Sequence, residues 1–136
     1  PSWSRGLGDV YKRQLLIKGF AFNMQNNLRI VAIILIMGVF TFSLFEFQES
    51  KTLLNDKYIH FFVYSLLSFF VFTASLSFKR ILLFSGLISF GVLTEFLQNL
   101  SGLRNFEYMD IIANSLGILV GLIIFTISEK TLKIRN

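Results

Sequence analysis

The chain has 136 residues, 54% of them hydrophobic and only 15% charged, with 13 Lys and Arg against 8 Asp and Glu and no cysteine. A soluble domain carries about 25% charged residues, so folding in water would leave a large apolar surface exposed. The composition therefore excludes an ordinary soluble domain. The cations lie scattered between apolar stretches and line no single face, which excludes a nucleic-acid binder. The lack of cysteine excludes disulfides, thiol nucleophiles and thiolate metal sites.

A membrane-spanning helix needs about 20 mostly apolar residues. The mean hydropathy of +0.64 thus leaves room for about four such helices and no second domain. The expected class is an all-α, multi-pass membrane protein. The opening run PSWSRGLGDVYKRQ holds the only Trp and shows no helical apolar period. It resembles an adaptor-derived run found at the ends of sequences assembled from raw reads, and residues 1–23 are expected to be a non-native or disordered leader. Met24 is the expected native start, with 24–136 a single domain. Dropping residues 1–14 removes Arg5, Lys12, Arg13 and Asp9, three cations and one anion, and takes the net charge from +5 to +3.

The first apolar segment is predicted over 28–47, uncharged from Ile30 to Phe45. Its core runs into Phe-rich sequence with no small-residue cleavage site, so it reads as a retained helix. The second is predicted over 56–78, with His60 its single ionisable group beyond the first two residues. The short turn at Lys79 and Arg80 makes the second and third helices antiparallel neighbours. The third is predicted over 81–100, the loop over 101–108, the fourth helix over 109–128, and a cationic tail from Glu129 to the end.

One set of loops receives Arg29, Lys79, Arg80, Lys130, Lys133 and Arg135. The other receives Lys51, Lys57 and Arg104, offset by Glu46, Glu49, Asp56, Glu107 and Asp110. The positive-inside rule makes the first side, with both termini, cytoplasmic. Tyr58 and Tyr108 then fall at the outer boundary, where aromatic anchors are favoured.

This orientation places seven polar residues together at the outer ends of three helices: Asp56, His60, Glu95, Gln98, Arg104, Asp110 and Asn114. At 1.5 Å rise per residue, each helical member lies within about 8 Å of its helix end. The pairs 56/60 and 110/114 are i,i+4 and the pair 95/98 is i,i+3, so each pair shares one helix face. Ionisable groups in a bilayer turn inward and mark function or bundle packing. On the fourth helix the face continues through Gly117 and Gly121, a G-x-x-x-G that admits a close neighbour. On the third it runs back through Gly91. Plainer roles compete. Asp56 and Asp110 suit helix N-termini, Arg104 suits lipid phosphate or an ion pair with Glu95, and a lone His is often a packing residue.

The spacing Asp56-Lys57-x-x-His60, Glu95-x-x-Gln98, Arg104 and Asp110-x-x-x-Asn114-x-x-Gly117-x-x-x-Gly121 resembles the VanZ-like family of small bacterial membrane proteins. The resemblance covers about residues 56–121. It implies a four-helix protein of the bacterial cytoplasmic membrane, and it brings an association with tolerance to teicoplanin-type glycopeptides, though no established activity.

Two functions compete. In the first, Asp56, Lys57, His60, Glu95, Gln98, Arg104, Asp110 and Asn114 bind an envelope lipid, headgroup or related ligand. In the second, His60, Glu95 and Asp110 perform acid–base chemistry on a lipid-linked or phosphate substrate. The chain holds no nucleophile elbow, H-E-x-x-H or phosphate-binding Gly loop. His60 with Glu95 and Asp110 makes a weak metal ligand set, with one His and no Cys, so no metal or other cofactor is assigned. Membrane lipids are the expected partners. A transporter built on one four-helix unit would have to be a homo-oligomer.

Overall fold

The computed structural model of the chain holds four α-helices: α1 (Ser2–Ser43), α2 (Leu53–Ala74), α3 (Arg80–Leu100) and α4 (Tyr108–Arg135). It describes residues 2–43, 53–75, 78–102 and 105–135, of which 2–9, 53–55 and 132–135 by backbone alone. Each helix contains a stretch long and apolar enough to cross a membrane: Val10–Ser43, Asp56–Ala74, Arg80–Leu100 and Tyr108–Thr131. No strand occurs among the described residues.

The helix ends differ from expectation where hydropathy and backbone propensity disagree. Helix α1 begins at Ser2 and not at Leu28. The chain's single Pro is residue 1, so no proline interrupts the backbone ladder, and Leu, Ile, Lys and Gln sustain it. The segment expected to be a non-native or disordered leader is helical from Ser2, and every residue from 10 to 24 is exposed. The expected end of the first segment lies outside the described residues. Helix α2 starts at Leu53 and stops at Ala74, four residues before Phe78. A turn follows, in which the Phe78 N–H donates to the Ser75 carbonyl at 3.0 Å. Helix α4 continues through the expected tail to Arg135, because that tail has no Gly or Pro to end it. Helix α3 does end where a glycine allows it. Gly102 has φ 71°, and its N–H donates to the Asn99 carbonyl at 3.1 Å, a left-handed terminus that satisfies a late carbonyl.

Helices α2 and α4 run parallel, with α1 and α3 antiparallel to them. One end of the bundle carries the starts of α2 and α4 and the end of α3. The other, here the far end, carries the end of α2 and the start of α3. There the Gln25 side chain donates to the Ala74 carbonyl at 2.7 Å, and Arg29 Nε donates to the same carbonyl at 3.4 Å. α1 thereby satisfies α2's terminal acceptors. Arg80 pairs with Glu129 and lies over the Phe125 ring, 5.3 Å from its centroid.

The most extensive contact is between α2 and α4, and its seam is made by small residues. A Cβ on Gly117 would strike the Phe61 carbonyl of α2, and one on Gly121 would strike Ser68 Oγ and the Ser65 carbonyl. In lipid, where apolar surface gains nothing by leaving hydrocarbon, close backbone packing of this kind drives association. Below the seam Phe72 stacks on Phe125, with centroids 5.9 Å apart. Tyr64, Leu67, Leu87 and Ile118 share the buried core with Ala32, Val71 and Ala74, while Leu116, Ile123, Ile124 and Ile127 of α4 face outward.

Gly117→Ala and Gly121→Ala are each expected to destabilise the bundle by about 1–3 kcal/mol, the usual cost of overpacking. Gly86→Ala should not, because nothing lies within 4 Å of the Cβ it would gain. Thermal unfolding in detergent reads both.

Candidate functional site

The G-x-x-x-G seam sets the register of everything nearer the α2 start. Two turns before Gly117 on the same face, Asp110 lies in the first turn of α4 with its side chain fully buried. One of its oxygens, Oδ1, accepts from Lys57 Nζ of α2 at 3.2 Å, and Lys57 also donates to Glu107 Oε2 at 2.7 Å. The other, Oδ2, lies 3.9 Å from His60 Nε2, and Asp56 Oδ1 lies 3.9 Å from the same nitrogen. The opposite ring nitrogen, Nδ1, is 3.0 Å from Asn114 Oδ1. Asn114 is buried, and its Nδ2 has no hydrogen-bond partner among the described residues.

Helix α3 closes the third side. Glu95, 1% exposed, accepts the backbone N–H of Glu107 at 2.9 Å through Oε1. That bond anchors the residue preceding α4, and Glu107 in turn positions Lys57. A buried carboxylate inside an apolar helix is thereby given a backbone donor, as its desolvation demands. Gln98 is buried one turn on, and its Oε1 has no partner among the described residues. Gly91 brings α3 close. A Cβ there would lie 3.3 Å from Tyr64 Cε1 and 3.4 Å from Asn114 Cβ. One layer deeper, Tyr64 Oη and Thr94 Oγ1 are 2.7 Å apart, and Thr94 donates to the Gly91 carbonyl at 2.9 Å.

The structure therefore gathers Asp56, Lys57, His60, Asp110 and Asn114 into one linked group and sets Glu95 beside it through Glu107. Asp56 and Asp110 are both first-turn residues and neither is the residue preceding its helix. Arg104, and with it the expected pair with Glu95, lies outside the described residues. Of the expected trio, His60 and Asp110 are direct neighbours, Asp56 lies against the same imidazole nitrogen, and Glu95 joins them through the Glu107 amide. Three participants escaped the sequence reading. Tyr64 was traceable, for Asp56, His60, Tyr64 and Ser68 form one i,i+4 row. Glu107 and Thr94 carry no such signal, because their roles arise only from the neighbouring helix.

The entrance to this group is at the bundle end, where Asp56, Lys57 and Glu107 are each partly exposed. The deeper members Glu95, Asp110 and Asn114 are buried. A cavity of about 100 Å³ lined by Phe72, Arg80, Phe125 and Glu129 is at the far end and forms no part of the group.

Four apolar helices with a polar group at one end define a multi-pass helical membrane protein. Comparison with protein-family models, with curated proteins and with solved structures finds no match.

Tyr64→Phe is expected to cost about 0.5–1.5 kcal/mol, the net value of one hydrogen bond. Thr94 would keep its bond to the Gly91 carbonyl. A shift in detergent unfolding of that size, with the helical signal unchanged, is the expected reading.

Proposed function

We propose that the chain is a VanZ-like protein of the bacterial cytoplasmic membrane whose polar group binds an envelope lipid headgroup or a related ligand at the outer face. The observation that carries this reading is the burial of Asp110, Asn114, Glu95 and Gln98 behind a partly exposed rim of Asp56, Lys57 and Glu107. Polar side chains placed that deep at a helix end mark a ligand path. The rim lies at the headgroup level of a bilayer and offers both a cation and carboxylates. A role in tolerance to glycopeptides follows from the same reading, as protection or retention of an envelope lipid. Oligomerisation of the unit is compatible with it.

Acid–base catalysis on a lipid-linked or phosphate substrate is the second reading. What favours it is His60, whose Nδ1 is oriented by Asn114 while Nε2 faces two carboxylates, an arrangement suited to moving a proton. Glu95 contributes less here, since its Oε1 serves the Glu107 amide.

The membrane orientation rests on the far-end cations Arg29, Lys79, Arg80 and Lys130. Reporter fusions after Arg80 and after Asn136 are expected to signal cytoplasm, and one after Glu49 the outside. A periplasmic signal from the C-terminal fusion would reverse the orientation.

For the ligand, lipids that co-purify with the intact chain are expected to be enriched in one headgroup, and Glu95→Gln is expected to lose that enrichment while keeping the fold. Glutamine retains the oxygen that accepts the Glu107 N–H, so the substitution removes charge and not the anchor. Equal lipid profiles from both proteins would sink the headgroup reading.

A further inference from the structure

We propose that Asp56, His60 and Asp110 hold a first-row divalent cation, and that this ion supplies the contact to an anionic ligand at the rim. The inference deepens the ligand-site reading above and rests on it for the second clause alone.

One ligand atom from each of the three residues lies within 4.8 Å of the other two. The distances from His60 Nε2 to Asp56 Oδ1 and to Asp110 Oδ2 are both 3.9 Å. An N–H···O bond needs about 2.7–3.2 Å, so the ring donates to neither carboxylate. Donors on a divalent ion at about 2.0–2.2 Å stand about 3–4 Å from one another, and both His60–carboxylate distances fall in that range. The two oxygens of Asp110 are divided between tasks. Oδ1 faces Lys57 at 3.2 Å and leaves Oδ2 turned to the imidazole. Lys57 therefore neutralises part of the acidic charge from the Oδ1 side of Asp110.

Asn114 provides an independent observation. Its side chain, 2% exposed, is aimed at His60 and sits 3.0 Å from Nδ1. With Nδ1–H donating to Oδ1, the Nε2 lone pair is left pointing at the carboxylates. This is the outer partner that metal-bound imidazoles recurrently have. Asn114 Nδ2 is left without a partner among the described residues, and Gln98 Oε1, at the same bundle end, is left without one too. One nitrogen and two carboxylates suit a zinc or manganese type of ion, and three protein ligands leave coordination positions open. The partial exposure of Asp56 places such a position toward the rim, where a phosphate oxygen can enter.

His60 is the chain's only histidine, which makes the test direct. The full chain is purified in detergent with a histidine-free tag and stripped with chelator. Zn2+ alone is then titrated by calorimetry, and Mn2+ is bound for electron paramagnetic resonance. One equivalent of Zn2+ is expected, together with nitrogen coupling from one imidazole on Mn2+. His60→Gln and Asp110→Asn are expected to weaken Zn2+ binding by more than about a hundredfold. Asn114→Ala is expected to weaken it about 10–100-fold, the usual effect of losing an outer partner. Arg80→Gln, at the far end, should leave it unchanged. Failure of the native chain to bind Zn2+ up to millimolar concentration would overturn the proposal, as would bound Mn2+ without imidazole coupling. Both readings use the native chain and hold even where a variant does not fold. The lipid profile is scored separately. Metal binding with no enriched headgroup removes the ligand reading and leaves the metal site, and an enriched headgroup with no metal binding does the reverse.

Discussion

The close approach of α2 and α4 at Gly117 and Gly121 is the constraint on which the rest of this molecule depends. Two parallel helices in contact keep a constant offset along the chain. Here Lys57 meets Asp110 across 53 residues and His60 meets Asn114 across 54. Glycine sets that offset because Phe61, Ser65 and Ser68 of α2 occupy the space a Cβ would need. Once the seam is in register, Lys57 is set against Asp110 and His60 against Asn114. The stacked pair Phe72 and Phe125 below it is determined as well.

Hydrocarbon provides no solvation for charge, so the polar groups must satisfy one another. The molecule does this in layers. At the rim, Lys57 joins Glu107 and Asp110. Beneath it His60 and Asn114 meet. Deeper still Tyr64 and Thr94 form a neutral hydrogen bond. Helix α3 joins the group through Glu95, whose carboxylate holds the backbone before α4. It thereby couples the loop geometry to the side chains that line the site.

The helix termini follow a second logic. At the far end, α1 offers Gln25 and Arg29 to the last carbonyl of α2, and Arg80 pairs with Glu129. These contacts involve long polar side chains near water, and each contributes modestly. They align the helices at one end while the glycine seam aligns them at the other.

The sequence by itself determined the class, the number of helices and the end of the bundle at which the polar residues collect. Apolar length, i,i+4 spacing and the G-x-x-x-G are local quantities, so Asp56, His60, Asp110, Asn114, Gly117 and Gly121 were legible along the chain. Helix limits were less so, because hydropathy marks where chain leaves hydrocarbon while the backbone ladder continues until a residue stops it. Hence α1 reaches Ser2 and α4 reaches Arg135. The tertiary structure alone decided which groups face which. It set Asp56 and Asp110 against one nitrogen of His60, gave Glu95 a backbone donor, and joined Lys57 to Glu107 as a bridge. Those choices depend on the rotation and offset of one helix against another, and side-chain spacing along a single helix carries no information about either.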